Sequence, residues 1–194
     1  MNVRLSKRFD FLSNAWWTDQ LVCNKYSVTV SMVTMTADQD EHNVSVARID
    51  RFMKDVIGNS ILIRSDDTKQ IERLNTAGIK TVELPEEPYD QTVAIMLYCK
   101  LNAICAGKMV ITGVDLESEA GQDVNYMIYD DDGLGPFADE GWWNDEEPTA
   151  KSNKKKGKVV HMDGKLSWDD FGLQWDLEEK TGNVITGEFP KKKK

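Results

Sequence analysis

The sequence predicts an α/β fold: a three-layer domain with a mostly parallel sheet, spanning residues 1–129. Two observations lead there. Apolar periodicity alternates between two and 3.6 along the first two-thirds of the chain, giving the order β-α-β-α-β-α-β. The connections are short, and a short crossover lays its helix back on the sheet with a right-handed turn. A third observation sets the domain limit. After residue 129 the sequence becomes acidic and turn-rich, then lysine-rich. Antiparallel pairing of the first strand, or of Val124–Tyr129, remains open at this level.

Residues 1–20 carry Phe9, Leu12, Trp16 and Trp17 at helical spacing behind Arg4, Lys7 and Arg8, which predicts a short amphipathic helix with an aromatic face. Docking on the core is the simpler use of that face, and a partner-binding aromatic patch is the sharper one. Residues 21–36 alternate Tyr26, Val28, Val30 and Met32 with Ser27, Thr29 and Ser31, the period of a strand. Residues 44–57 form an amphipathic helix with Val46, Ile49, Phe52, Met53 and Val56 inward, and Arg48, Asp50, Arg51 and Lys54 facing away. Ile61–Leu62–Ile63 is a short buried strand. Asp67 caps a helix carrying Ile71 and Leu74, and Ile79–Leu84 is the next strand.

The longest apolar stretch follows. Pro85 and Pro88 stiffen its entry, and residues 90–105 are apolar nearly all round, as in a helix packed between other elements. Gly107 suits the position just past its end. Met109–Val114 is then a buried strand closed by Asp115 and Glu117.

The chain has 194 residues, room for one domain and an appendage. Its 40% hydrophobic and 29% charged content is globular. No apolar run approaches the ~20 residues that span a bilayer, and residues 1–20 lack a secretory signal, so a cytoplasmic protein is expected. Three cysteines (Cys23, Cys99, Cys105), without metal-finger spacing, fit reduced thiols. A net charge of −9 argues against nucleic acid as the main partner. That charge is uneven. From Met109 to Ala150 there are twelve acids and no Lys or Arg, and lysines crowd 151–158 and 191–194.

Ligands of open α/β sheets bind outside the carboxyl ends of the strands. In a parallel sheet those ends would gather Asp38 with Asp40, Ser65 with Asp66, Glu86 with Glu87, and Asp115 with Glu117. Three of these pieces resemble motifs of the haloacid-dehalogenase-like phosphohydrolases: Asp38–Gln39–Asp40 after a strand, Ser65 after Ile61–Arg64, and Val110–Asp115 with Glu117 and Glu119. The resemblance implies Asp38 as nucleophile, Asp40 as general acid, Ser65 as a phosphate contact, and Mg²⁺ held by Asp38 and Asp115. The ordinary use of such acids is in turns and helix caps. His42 and His161 read as surface or turn residues.

Residues 130–158 read as an acidic-aromatic, then lysine-rich, connector, residues 159–189 as a small β-rich segment, and 190–194 as a disordered tail. Acids interleaved with aromatics suit contact with a basic protein. Trp142, Trp143 and Phe137 would anchor it, and Asp145 and Glu146 would steer encounter. Alternatively, the tryptophans fold back on the domain.

The stretches Phe9–Trp17 and Leu84–Gln91 also resemble small uncharacterised accessory proteins of tailed bacteriophages, which implies a host-cytoplasmic setting and no particular mechanism. The favoured function is therefore a non-enzymatic accessory or regulatory protein, with no cofactor, that binds a protein partner. The alternatives are a Mg²⁺-dependent phosphohydrolase and a structural or assembly subunit.

Overall fold

A long β-hairpin forms the middle of the sheet. β1 (Arg4–Trp17) and β2 (Gln20–Thr34) pair antiparallel over their whole length, from Arg4 opposite Val33 to Trp17 opposite Gln20. Thr18 and Asp19 between them have φ of 47° and 61°. Positive φ at both central residues is type I′ geometry, whose twist matches that of the flanking strands. The computed structural model describes residues 4–122, 124–129, 133–151 and 167–175.

The helix expected over residues 1–20 is thus a strand. Phe9, Phe11, Ser13 and Ala15 alternate inward at period two, whereas the helical spacing had joined Phe9 to Leu12 and Trp16, which lie on the opposite face.

The remaining elements are α1 (Gln39–Arg51), running directly into a π-helical turn (Phe52–Ile57), β3 (Ile61–Arg64), α2 (Thr68–Thr76), β4 (Thr81–Leu84), α3 (Asp90–Ile104), β5 (Met109–Ser118) and β6 (Asn125–Ile128). The sheet order is β4-β3-β1-β2-β5-β6. β3 pairs parallel with β1 and with β4. The pairs β1–β2, β2–β5 and β5–β6 are antiparallel. The expected mostly parallel sheet is therefore corrected to a mixed, mostly antiparallel one. The cause is local. A two-residue turn reverses β1 into β2, so β2 runs against its neighbours on both sides and the helix after it returns to β3 on the far side of β1.

One face of the sheet carries the main core. Phe9, Phe11, Tyr26, Val28, Val30 and Met32 pack there against α1, the π turn and α3. Among the described residues α2 alone covers the other face, setting Ile71 and Leu74 on Ile61, Ile63 and Trp16. Among those residues the third layer is confined to the β4-β3 edge and the end of β1. Toward β5 the second face carries Ser27, Thr29, Ser31 and Thr112, the small polar residues of a solvated face.

Residues 133–151, expected to be a connector, run as a strap along α3. Phe137, Trp142, Trp143 and Ala150 enter the main core. The strap reaches the sheet edge, where the Glu83 N–H donates to the Ala150 carbonyl at 2.9 Å. Of the C-terminal segment, residues 167–175 are described. They contain a single 3-10 turn, Asp169–Phe171, within the segment expected to be β-rich. The rest of 152–194 lies outside the described residues.

Candidate interaction site

The hairpin tip puts one tryptophan on each face of the sheet. Trp16 turns toward α2, half-buried against its apolar side. Trp17 turns the other way, past the end of the main core, and meets Tyr89 at the entry to α3. Their ring centres are 5.4 Å apart at 76°, an edge-to-face pair. Pro88 fixes the approach to Tyr89, whose extended backbone (φ −68°, ψ 154°) precedes the first turn of the helix. The pair stays open to solvent: Trp17 is 41% exposed and Tyr89 51%. Leu21, across the hairpin from Trp16, is exposed as well.

β1, β3 and β4 run in the same direction, so their carboxyl ends meet here. The loops after them form a cleft of about 400 Å³ lined by Trp16, Thr18, Asp19, Arg64, Asp66, Asp67 and Glu87. Arg64 binds Asp66 and also donates to Glu87 Oε1 at 3.0 Å. The Asp66 carboxylate beside it holds the guanidinium above its ordinary pKa. One cation thus stands against four carboxylates, and one of these, Asp67, also caps α2 by accepting from the Gln70 N–H. The cleft keeps a net negative charge.

The sequence-predicted site residues do not assemble. Asp38 caps α1, its Oδ1 accepting from the Asp40 N–H at 2.8 Å, and Asp40 lies in the first turn. Both follow the carboxyl end of β2, which lies beside Met109 at the start of β5. Asp115 is about 20 Å further along that strand, on the solvated face, accepting from the Tyr129 hydroxyl at 2.6 Å. That bond raises the Tyr129 pKa. Asp38 and Asp115 therefore cannot share one Mg²⁺. Ser65 stands at the opposite end of the sheet from Asp38, its N–H donating to the Leu84 carbonyl at 2.7 Å. Antiparallel β2 is what separates them, since the expected convergence required parallel strands. Among the described residues no group of three His, Cys, Asp or Glu side chains is arranged to hold a metal ion. No described helix is long and apolar enough to cross a membrane.

The expected protein-binding anchors lie inside the fold rather than on its surface. Phe137 is 1% exposed and Trp142 2%; Trp143 is also buried. The Trp142 indole donates to the Glu83 carbonyl at 2.7 Å, and that of Trp143 to the Phe137 carbonyl at 2.9 Å. Indole rings with a partner for each N–H are more stable in the core than in water. Asp145 and Glu146 remain at the surface, but both are tied inward, to two basic residues that sequence periodicity did not single out as buried. Arg48, expected to face away, is buried at 2% exposure and binds Glu146 Oε1 at 2.5 Å. Lys100, within the apolar run of α3, donates to the Asp145 carbonyl. The available signal was compositional and covered Lys100 alone: one base in the apolar helix α3, and a distant acidic-aromatic stretch to receive it.

No family model and no curated protein matches the chain. Among solved structures it is similar to an uncharacterised protein from Wolinella succinogenes, with 14% identity and a TM-score of 0.49 over 67% of this chain and 99% of that one. It is also similar to 6-pyruvoyl tetrahydropterin synthase from Plasmodium vivax, with 7% identity and a TM-score of 0.43 over 67% of this chain and 98% of that one. Likeness of this strength lends nothing to a functional reading.

Proposed function

We propose that this chain is a non-enzymatic accessory protein that binds another protein at the hairpin-tip end of its sheet. The observation that carries the reading is the Trp17–Tyr89 pair. Two large aromatic rings hold each other in fixed geometry while about half their surface faces water. Rings of this kind dominate binding energy where they are found at interfaces, because they supply area at little cost in side-chain entropy. The adjoining cleft adds the electrostatic half. Asp19, Asp66, Asp67 and Glu87 outweigh Arg64, so the fitting partner presents an apolar side chain to the rings and a Lys or Arg to the cleft. An accessory role of the kind tailed bacteriophages encode, exercised in the host cytoplasm, is consistent with this.

Photo-crosslinking tests it. A benzophenone amino acid at position 17 is expected to trap a discrete protein in cells, and the adduct to disappear when Tyr89 is changed to Ala. The same probe at Thr29, on the solvated face, is the control. Identical adducts from both positions, or none from position 17, would exclude the site.

A further inference from the structure

The strap docks on α3 over a buried lysine that no carboxylate contacts among the described residues. Lys100 is fully buried in the middle of the helix. Its ammonium donates to three main-chain carbonyls of the strap: Trp142 at 2.8 Å, Asp145 at 2.6 Å and Glu147 at 2.6 Å. The indole of Trp142 lies 5.6 Å away. Among the described residues no carboxylate oxygen touches the nitrogen. Asp145 and Glu147 offer it their backbone while their side chains are at the surface.

We propose that Lys100 is a proton-operated latch: charging it weakens the docking of the 142–147 strap on α3, and neutralising it tightens the strap. The reason is the imbalance between what the nitrogen needs and what it is given. A fully desolvated ammonium is strongly disfavoured, and carbonyl dipoles offset this only in part. When the strap lifts, water reaches the nitrogen and the charge is no longer penalised. The open form therefore binds the proton more tightly than the closed form, and acid favours opening. The proton is taken from solvent. The neutral amine keeps two N–H donors for the three carbonyls and gives up one bond, a smaller cost than the desolvated charge.

The surrounding charges do not reverse the balance. From the strap, the carboxylates of Asp145 and Glu147 favour the ammonium at a distance. From α1, Arg48 reaches the Ile104 carbonyl one turn further along α3, and its own charge is taken up by Glu146. From β4, Glu83 presents its backbone carbonyl to the Trp142 indole. Burial remains the larger effect and brings the Lys100 pKa from its ordinary 10.5 down to about 7. The folded value lies below the open one, so docking strengthens as pH rises from about 7 toward 10.5 and is weakest below 7.

Hydrogen exchange of the full chain, corrected for the intrinsic pH dependence of exchange, tests this. Protection of amides in 142–147, read against those of β2, is expected to fall roughly tenfold or more between pH 9 and pH 6. In Lys100→Gln, where the amide still donates but carries no titrating proton, the profile is expected to be flat. A wild-type profile that is flat or gains protection toward acid overturns the proposal, as does a Lys100→Gln profile with the wild-type slope. Should that variant fail to fold, the sign of the wild-type profile decides by itself.

Discussion

The guanidinium carbon of Arg48 lies 3.9 Å from the centre of the Trp175 indole, and both groups hydrogen-bond one oxygen of Glu146. Arg48 also donates to the carbonyls of Leu173 and Ile104 and stands 4.9 Å from the ring of Trp168. One buried arginine thus ties α1, α3, the strap and residues 167–175 together. Arg48→Met is expected to lower the unfolding free energy by about 2–3 kcal/mol in urea. Removing one partner of a fully buried pair costs ~3–5 kcal/mol. The lower figure follows because Glu146 is 43% exposed, so water solvates the carboxylate left behind.

Two glycines make a matched comparison. A Cβ on Gly141 would stand 2.3 Å from the Trp143 ring, which is buried against Phe137 and has no room to move. A Cβ on Gly113 would meet the ring of Tyr129 at 2.5 Å, but that side chain is exposed and swings away. Gly141→Ala is expected to cost about 1–3 kcal/mol, the range for overpacking a core. Gly113→Ala is expected to cost less than Gly141→Ala, because only the exposed Tyr129 ring, with its bond to Asp115, has to give way. Thermal or urea unfolding of the two variants decides.

Thiol labelling should separate the three cysteines. Cys23 is exposed, whereas Cys99 and Cys105 are buried, and burial pushes the Cys105 thiol up to about 12. Since the thiolate is the reactive form, iodoacetamide at pH 8 is expected to add once to the native protein, at Cys23. All three sites are expected to react in denaturant. Intact-mass and peptide analysis reads both numbers.

Asp90 gives a second dependence on acidity, distinct from that of Lys100. Burial raises its pKa, and the Ser118 hydroxyl donating at 2.6 Å opposes the rise. The folded carboxyl thus holds its proton to higher pH than the unfolded one, whose ordinary value is 3.8. The stability difference between wild type and Asp90→Asn is expected to shift against wild type as pH rises from about 4 through the raised value, and then to level off. Urea midpoints of both proteins from pH 3.5 to pH 7 check the sign.

Replacing Trp17 and Tyr89 together by alanine is expected to leave the protein folded, the cost being the roughly 0.5–1.5 kcal/mol of the ring pair plus the burial of the covered half of each side chain. The same change is expected to abolish partner capture. A variant that unfolds would show the rings to be structural.

Much of the local structure was legible. The strands at Tyr26–Met32 and Ile61–Ile63 and the long helix after Pro88 declared themselves by period and composition. The first strand did not, because small Ser13 and Ala15 point inward while large Leu12 and Trp16 point outward, which blurs alternation. The hairpin turn gave no signal either. Its two positive-φ residues are Thr18 and Asp19 instead of the Asn-Gly or Asp-Gly that marks such turns. With the reversal hidden, the parallel reading followed, and with it the gathering of Asp38 and Asp115. β5 also runs on to Ser118, so acids taken as a strand end are the polar side of a continuing strand. Of the candidate site, the possible use of Trp16 and Trp17 was visible. Tyr89 was not, because the contact depends on where a long-range crossover sets the start of α3.

The central hairpin has a consequence for the order of events in folding. Its ends are joined by two residues, so its ladder closes at little entropic cost and can zip from the turn. The two strands that add to that template reach it across longer connections: β3 through α1, and β5 only after the chain has passed the far edge and returned through α3. Contacts of high sequence separation are formed late and set the rate. Substitutions at the tip, Thr18 and Asp19, should therefore slow folding, whereas those in the strap should mainly hasten unfolding.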